Sequence, residues 1–247
     1  MWQLSATEAA FDSLFLTGSI DPAAPLGGIR RLTWRGHSLP DWSLFELAAP
    51  VRRWNDPLRI EDQYIRGDDF VVEYQQVVGP NVQPQFYWRL HAEPQAAAAG
   101  MEILVSLRTS LLASRPESAL RSSIGEEAEL LVCDANADAF HPLSGAVMSG
   151  KTFQAEVPIG GLLARPKARD FSYVEFGDPS DCAELEFEPL AISKGWRWEY
   201  TLFREHLEKG VIRRGRLQGW FLPRENDEEL ARQLRAAFLR SPPPLTT

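Results

Sequence analysis

The chain has 247 residues and carries 26 Lys and Arg against 34 Asp and Glu, a formal net charge of −8. A composition of 44% hydrophobic and 24% charged residues excludes an intrinsically disordered chain, and the acidic balance argues against a nucleic-acid protein. No stretch approaches the roughly 18 apolar residues of a membrane span, and no positive start precedes an apolar core as in a secretory leader.

At roughly 100–200 residues per domain, residues 1–247 read as one large domain. The two cysteines, Cys133 and Cys182, are too few for a disulfide framework, which points to a cytoplasmic chain with reduced thiols. Cys133 ends the apolar run Leu130-Leu131-Val132 and reads as a small buried hydrophobe.

In chain order, Ser5-x-x-Glu8 has the spacing of a capping box. With Phe11, Leu14 and Phe15 on one face behind it, it predicts a short N-terminal helix. The pattern then changes to period two. Phe70, Val72 and Tyr74 alternate with Val71, Glu73 and Gln75. Phe86, Trp88 and Leu90 alternate with Gln85, Tyr87, Arg89 and His91. Met101, Ile103, Val105 and Leu107 alternate with Glu102, Leu104, Ser106 and Arg108, and Leu185 and Phe187 alternate with Glu184, Glu186 and Glu188. Phe153, Ala155 and Val157 continue the pattern. Successive strand side chains point to opposite faces, so such runs bury one face and wet the other.

Turn signals bound these runs at Arg66-Gly67-Asp68, Gly79-Pro80-Asn81, Gly160-Gly161, Gly177-Asp178-Pro179 and Lys194-Gly195. Ala96 to Ala99, between Pro94 and Gly100, reads as a connection between strands. A parallel sheet would need a helix between each pair of strands, so the reading is mainly β: a large antiparallel β-sandwich or supersandwich. Val211 to Leu222 predicts one long strand in which Gly215 and Gly219 leave room on one face for a large neighbour. Arg214 and Arg216 on its other face are expected to pair with the Glu184, Glu186 and Glu188 row. Asn226 followed by Asp227, Glu228 and Glu229 opens a C-terminal helix over about 227–240. Leu230, Leu234 and Phe238 form its stripe against a sheet, and Ser241-Pro242 stops it.

Gly145-Ala-Val-Met-Ser-Gly-Lys151-Thr152 matches the phosphate-loop pattern letter for letter. A working loop needs a buried strand before it and a helix after it, so that the helix N-terminus faces the phosphates. Pro142 argues against the first, and the alternating Lys151 to Val157 against the second, so a turn leading into a strand fits better. Asp134-x-Asn136-x-Asp138 begins like a calcium loop but has Ala139 and Gly145 where Gly and Glu belong. A polar turn is the better reading, and calcium is the one cofactor this segment admits. His37, His91, His141 and His206 show no zinc spacing, and no G-x-S-x-G elbow occurs.

Three groups of residues carry chemistry. Glu184, Glu186 and Glu188 share a strand face and read either as a solvated row paired with arginines or as carboxylates whose mutual repulsion suits acid–base work. Tyr87, Arg89 and His91 share another, where an arginine fork and a proton-shuttling imidazole can engage sugar hydroxyls or carboxylates. Trp196 and Trp198 share a third with Tyr200, either as packing between sheets or as a stacking platform for sugar rings.

By size and strand richness the chain resembles the galactose-mutarotase-like sandwiches that act on or bind sugars. The resemblance is one of architecture. The aldose-epimerase segment Asn-His-x-Tyr-Phe-Asn-Leu is absent, so no catalytic residue is carried over from that family. On their own chemistry, His91, Arg89 and Glu186 are the catalytic candidates and Tyr87, Trp196 and Trp198 the substrate-binding ones, with a sugar as the ligand. A non-enzymatic interaction domain and nucleotide binding at 145–152 are the alternatives.

Overall fold

A computed structural model describes residues 1–48, 58–77, 81–114, 118–134, 139–143, 153–154, 159–203 and 206–242. Among these the strands are β1 (Trp2–Leu4), β2 (Ala9–Ser13), β3 (Leu16–Ile20), β4 (Ile29–Trp34), β5 (His37–Leu39), β6 (Trp42–Ala48), β7 (Ile60–Arg66), β8 (Asp69–Tyr74), β9 (Val82–Glu93) and β10 (Ala98–Thr109). They continue as β11 (Ser118–Ile124), β12 (Ala128–Asp134), β13 (Phe140–Pro142), β14 (Phe153–Gln154), β15 (Ile159–Pro166), β16 (Phe171–Gly177), β17 (Cys182–Pro189), β18 (Trp196–Leu202) and β19 (Ile212–Pro223), followed by the helix α1 (Asp227–Arg240). Ten strands form one sheet in the order β1-β2-β3-β4-β6-β11-β18-β17-β14, with β5 beside β4. Nine form the other, β13-β12-β15-β16-β19-β10-β9-β8-β7. All the pairings are antiparallel, and the result is a β-sandwich.

The period-two runs supply the layer between the sheets. Phe70, Val72, Tyr74, Phe86, Trp88, Met101, Ile103, Val105, Leu217 and Phe221 of the nine-stranded sheet meet Trp2, Phe11, Trp34, Trp42, Leu120, Phe187, Trp198 and Tyr200 of the other. Aromatic rings join the layers. Trp34 stacks on Phe221 with centroids 5.5 Å apart, and Trp2 meets Phe70 at 5.3 Å. Burying each such side chain contributes about 1.5–3 kcal/mol. The long strand expected over Val211 to Leu222 is β19, and the room beside its glycines is filled. A Cβ on Gly219 would lie 2.2 Å from the Tyr173 hydroxyl, and one on Gly215 would lie 3.1 Å from the Phe203 ring.

Helix α1 packs on the outer face of the nine-stranded sheet. Ala231, Leu234 and Phe238 cover Leu163, Val174, Phe176, Trp220 and Leu222, with Cys133 buried in the same cluster. Its first residue, Asp227, is clamped by Arg165 through bonds of 2.9 and 2.6 Å and by the Ser172 hydroxyl at 2.5 Å. Asn226 takes a left-handed backbone and makes no side-chain cap.

Three expectations are corrected. The short N-terminal helix is instead the hairpin β1–β2, with Trp2 opposite Phe11. Ser5 donates both its N–H and its hydroxyl to the Glu8 carbonyl, which closes a turn between strands rather than capping a helix. The helical stripe is too short to hold: Phe11 enters the core, while Leu14 lies exposed at a left-handed φ of 52°. Gly160-Gly161 is not a turn but lies within β15, where the Arg235 side chain presses against Gly160. Finally, β10 has no wet face over most of its length. It is central in its sheet, so Glu102, Leu104 and Ser106 are buried along with the apolar row.

Candidate functional site

Strand register assembles a polar network on the outer face of the nine-stranded sheet, beside the area that α1 covers. Across β8, β9, β10 and β19, one row runs Asp69, Arg89, Glu102, Gln218. The next row places His91 opposite Gly100, and Gly100 opposite Trp220. Gly100 is required there, because a Cβ would lie 2.7 Å from the Trp220 ring that lies across it. Trp220 thus reaches His91, with ring centroids 5.5 Å apart and an interplanar angle of 35°.

Within this network His91 Nε2 lies 3.1 Å from Glu102 Oε2. Gln218 Nε2 lies 3.2 Å from the same oxygen and 3.1 Å from His91 Nε2. Trp220 Nε1 donates to Gln218 Oε1 at 2.8 Å. Arg89 forks onto Asp69 through bonds of 2.6 and 2.9 Å, which raises its already high pKa. Glu102 is buried, whereas the His91 side chain keeps 25% of its surface open to solvent. A half-open imidazole backed by a buried carboxylate can accept a proton from a bound hydroxyl and return it.

The structure brings the predicted residues Arg89 and His91 together. Tyr87 lies on the same face but is buried with Val71 and Leu104. Burial, then a hydrogen bond with Tyr64, pushes its phenol up to about 12. Trp196 and Trp198 are elsewhere, turned into the space between the sheets. Trp196 Nε1 donates to the Ala128 carbonyl and Trp198 Nε1 to Glu175 Oε2. Glu102, Gln218 and Trp220 were not singled out from sequence. Each sits at an alternating polar or aromatic position, but only the pairing of β10 between β9 and β19 brings them to His91.

Glu186 lies on the outer face of the other sheet. Register there aligns Glu46, Arg121, Glu199 and Glu186 across β6, β11, β18 and β17. A pocket of about 150 Å³ is lined by Arg121, Glu186, Glu188, Arg197 and Glu199. Arg121 pairs with Glu199 at 2.5 Å and Arg197 with Glu188 at 2.8 Å. The expected pairing of Arg214 and Arg216 with this row is not made, because β17 and β19 belong to different sheets. Arg216 instead donates to the Phe238 and Ser241 carbonyls at the end of α1 and lies 3.8 Å from Glu102 Oε1.

A third polar cluster is fully internal. Glu175 accepts from Ser122 at 2.5 Å, Trp198 at 2.6 Å and Tyr173 at 2.7 Å. Burial pushes its carboxyl up to about 7, against the pull of those three hydrogen bonds. The phosphate-loop-like segment at 145–152, and Asn136 and Asp138 of the calcium-like segment, lie outside the described residues. Among the described residues no three His, Cys, Asp or Glu side chains converge as metal ligands, and no helix is long and apolar enough to cross a membrane.

No protein-family model matches the chain, and no curated protein matches it in sequence. Solved structures do match in fold. A TPR-domain containing protein from Parabacteroides distasonis superposes with a TM-score of 0.63 at 9% identity over 88% of this chain, which spans about half, 47%, of that protein. A galactose mutarotase-like protein from Lactobacillus casei gives 0.57 at 10% identity, covering 87% of this chain and 99% of its own. A galactose mutarotase related enzyme from Lactobacillus acidophilus gives 0.54 at 8% identity, covering 87% and 97%. The expected galactose-mutarotase-like architecture is therefore the observed one.

Proposed function

We propose that this protein binds a carbohydrate on the outer face of its nine-stranded sheet, with His91 as the proton acceptor for a sugar hydroxyl. The observation that carries the reading is the His91, Glu102, Gln218 and Trp220 network, set in a fold shared with proteins described as galactose mutarotase-like. Its residue types suit a sugar. The imidazole and the Arg89–Asp69 pair offer donors and acceptors to hydroxyls, with the buried Trp220 ring packed behind the imidazole. The charges of Arg89 and Arg216 are matched by Asp69 and Glu102, which favours a neutral ring over a sugar acid.

Tryptophan fluorescence titrated with a panel of mono- and oligosaccharides tests this. At least one sugar should change the emission saturably. His91→Ala should weaken that sugar about 5–10-fold, the loss of one hydrogen bond of about 1–1.4 kcal/mol. No response to any sugar, or an undiminished response in His91→Ala, would contradict the reading.

A further inference from the structure

We infer that Glu102, Gln218 and Trp220 are positioning residues that hold the neutral His91 ring with its proton on Nε2, so that Nδ1 is the atom that meets the ligand. The inference takes the His91 face as the ligand site from the reading above, but its test needs no sugar.

The indole N–H of Trp220 can only donate, so the Gln218 atom 2.8 Å from it is the amide oxygen. Gln218 is therefore pinned with its NH₂ toward His91 and Glu102, and that group can only donate. Around Glu102 the neighbours are all donors or cations: Gln218 Nε2, Arg216 at 3.8 Å, and Arg89 directly across the strand pair. With an amide donor and two guanidinium groups around it, Glu102 is placed to accept hydrogen bonds as a carboxylate. His91 Nε2 thus faces a donor, the Gln218 amide at 3.1 Å, and an acceptor, Glu102 Oε2 at 3.1 Å; the charged acceptor makes the stronger bond, so Nε2 carries the hydrogen toward Glu102 and the amide donates to the same carboxylate oxygen. The charged groups facing His91 are Glu102 and Arg89, with Asp69 and Arg216 behind them. Among the described residues Nδ1 has no hydrogen-bond partner. On a half-exposed ring, it is the nitrogen free to accept from a ligand hydroxyl.

The pinned amide gives the inference a sharp consequence. In Glu102→Met the carboxylate is gone and, among the described residues, the polar group left beside Nε2 is a donor. The ring should then change tautomer, with Nε2 accepting from Gln218 and Nδ1 protonated. Adding Trp220→Phe keeps an aromatic ring beside His91 but frees the amide to turn its oxygen inward, which should restore the proton to Nε2.

Two-bond ¹⁵N–¹H correlation spectra of the full chain at mildly alkaline pH read this directly, with His91→Asn identifying the His91 signals among the four histidines. The expected result is an Nε2–H pattern in the unaltered protein, an Nδ1–H pattern in Glu102→Met, and a return to Nε2–H in the double variant. An Nδ1–H pattern in the unaltered protein overturns the inference whether or not the variants fold. An unchanged Nε2–H pattern in folded Glu102→Met overturns the role of the pinned amide. The tautomers as expected with no sugar bound would leave this inference standing and remove only the proposed function.

Discussion

Glu175 lies between the two sheets with no exposed surface, and among the described residues its hydrogen-bond partners are Ser122, Tyr173 and Trp198. An unfolded glutamate titrates near 4.5, whereas burial pushes this one up to about 7. Between those pH values the native chain holds a proton that the unfolded chain has lost. Its contribution to stability is therefore fully present below about pH 4.5 and declines as pH rises to about 7, by about 3 kcal/mol in all. Denaturant melts across this range should show the decline, and Glu175→Gln should flatten it; a Gln variant with the same slope would assign the effect elsewhere.

Glu186 presents the opposite case. Among the described residues it makes no ion pair or hydrogen bond, and it lies directly across from Glu199. Glu186→Gln should therefore change stability by less than about 1 kcal/mol and relieve a like-charge contact. A loss of several kcal/mol on urea unfolding would mean that the carboxylate holds the pocket together. The sequence marked this row as either solvated or chemical. It could not say which arginines face it, because an arginine's sheet is decided by topology and not by its place in the chain. Arg121 and Arg197 took the place expected of Arg214 and Arg216 for that reason.

Among the elements, α1 shows how one residue ties a helix to a sheet. Burial raises Asp227, but the bonds from Arg165 and Ser172 outweigh it and leave the carboxyl below its ordinary range. The stability it contributes is present above the ordinary aspartate range and is lost as pH falls through its lowered native value. Asp227→Asn removes the charged fork but leaves Arg165 paired with Glu228, and should cost about 1.5–3 kcal/mol at neutral pH. Because α1 also receives Arg216, the same variant should loosen the C-terminal segment in hydrogen exchange before the sheets open. Exchange that rises uniformly across the protein would contradict this local anchoring.

Helix α1 was legible because its acidic first turn, spaced apolar stripe and Ser-Pro stop agree over fourteen residues. The N-terminal pattern had only a box and three apolar residues. Pairing with β3 and burial of Trp2 and Phe11 overrode it.

For the whole molecule, alternation in β8, β9, β10 and β17 announced a sandwich; the turn signal at Gly67 placed the β7–β8 hairpin, and that at Gly177 marked the crossing from β16 in one sheet to β17 in the other. The order of the strands was not legible. β10 lies between β9 and β19, strands more than a hundred residues apart, and no local pattern announces so distant a pairing. The candidate site inherits this division. Arg89 and His91 were visible because they alternate on one strand. Gln218 and Trp220 were hidden because they join them only through long-range register, and Glu102 because the register of the β9–β10 pair, not the alternation, sets it beside His91.

The central claim is that a sugar binds beside His91. It is tested most directly by titrating the sugar panel into ¹⁵N-labelled protein and mapping which side chains respond. The account predicts that a binding sugar shifts the His91 ring and Trp220 indole signals first, while the Trp198 indole, bonded to Glu175 in the interior, stays in place. Shifts confined to the Arg121 and Glu186 face, or no shift with any sugar, would contradict it.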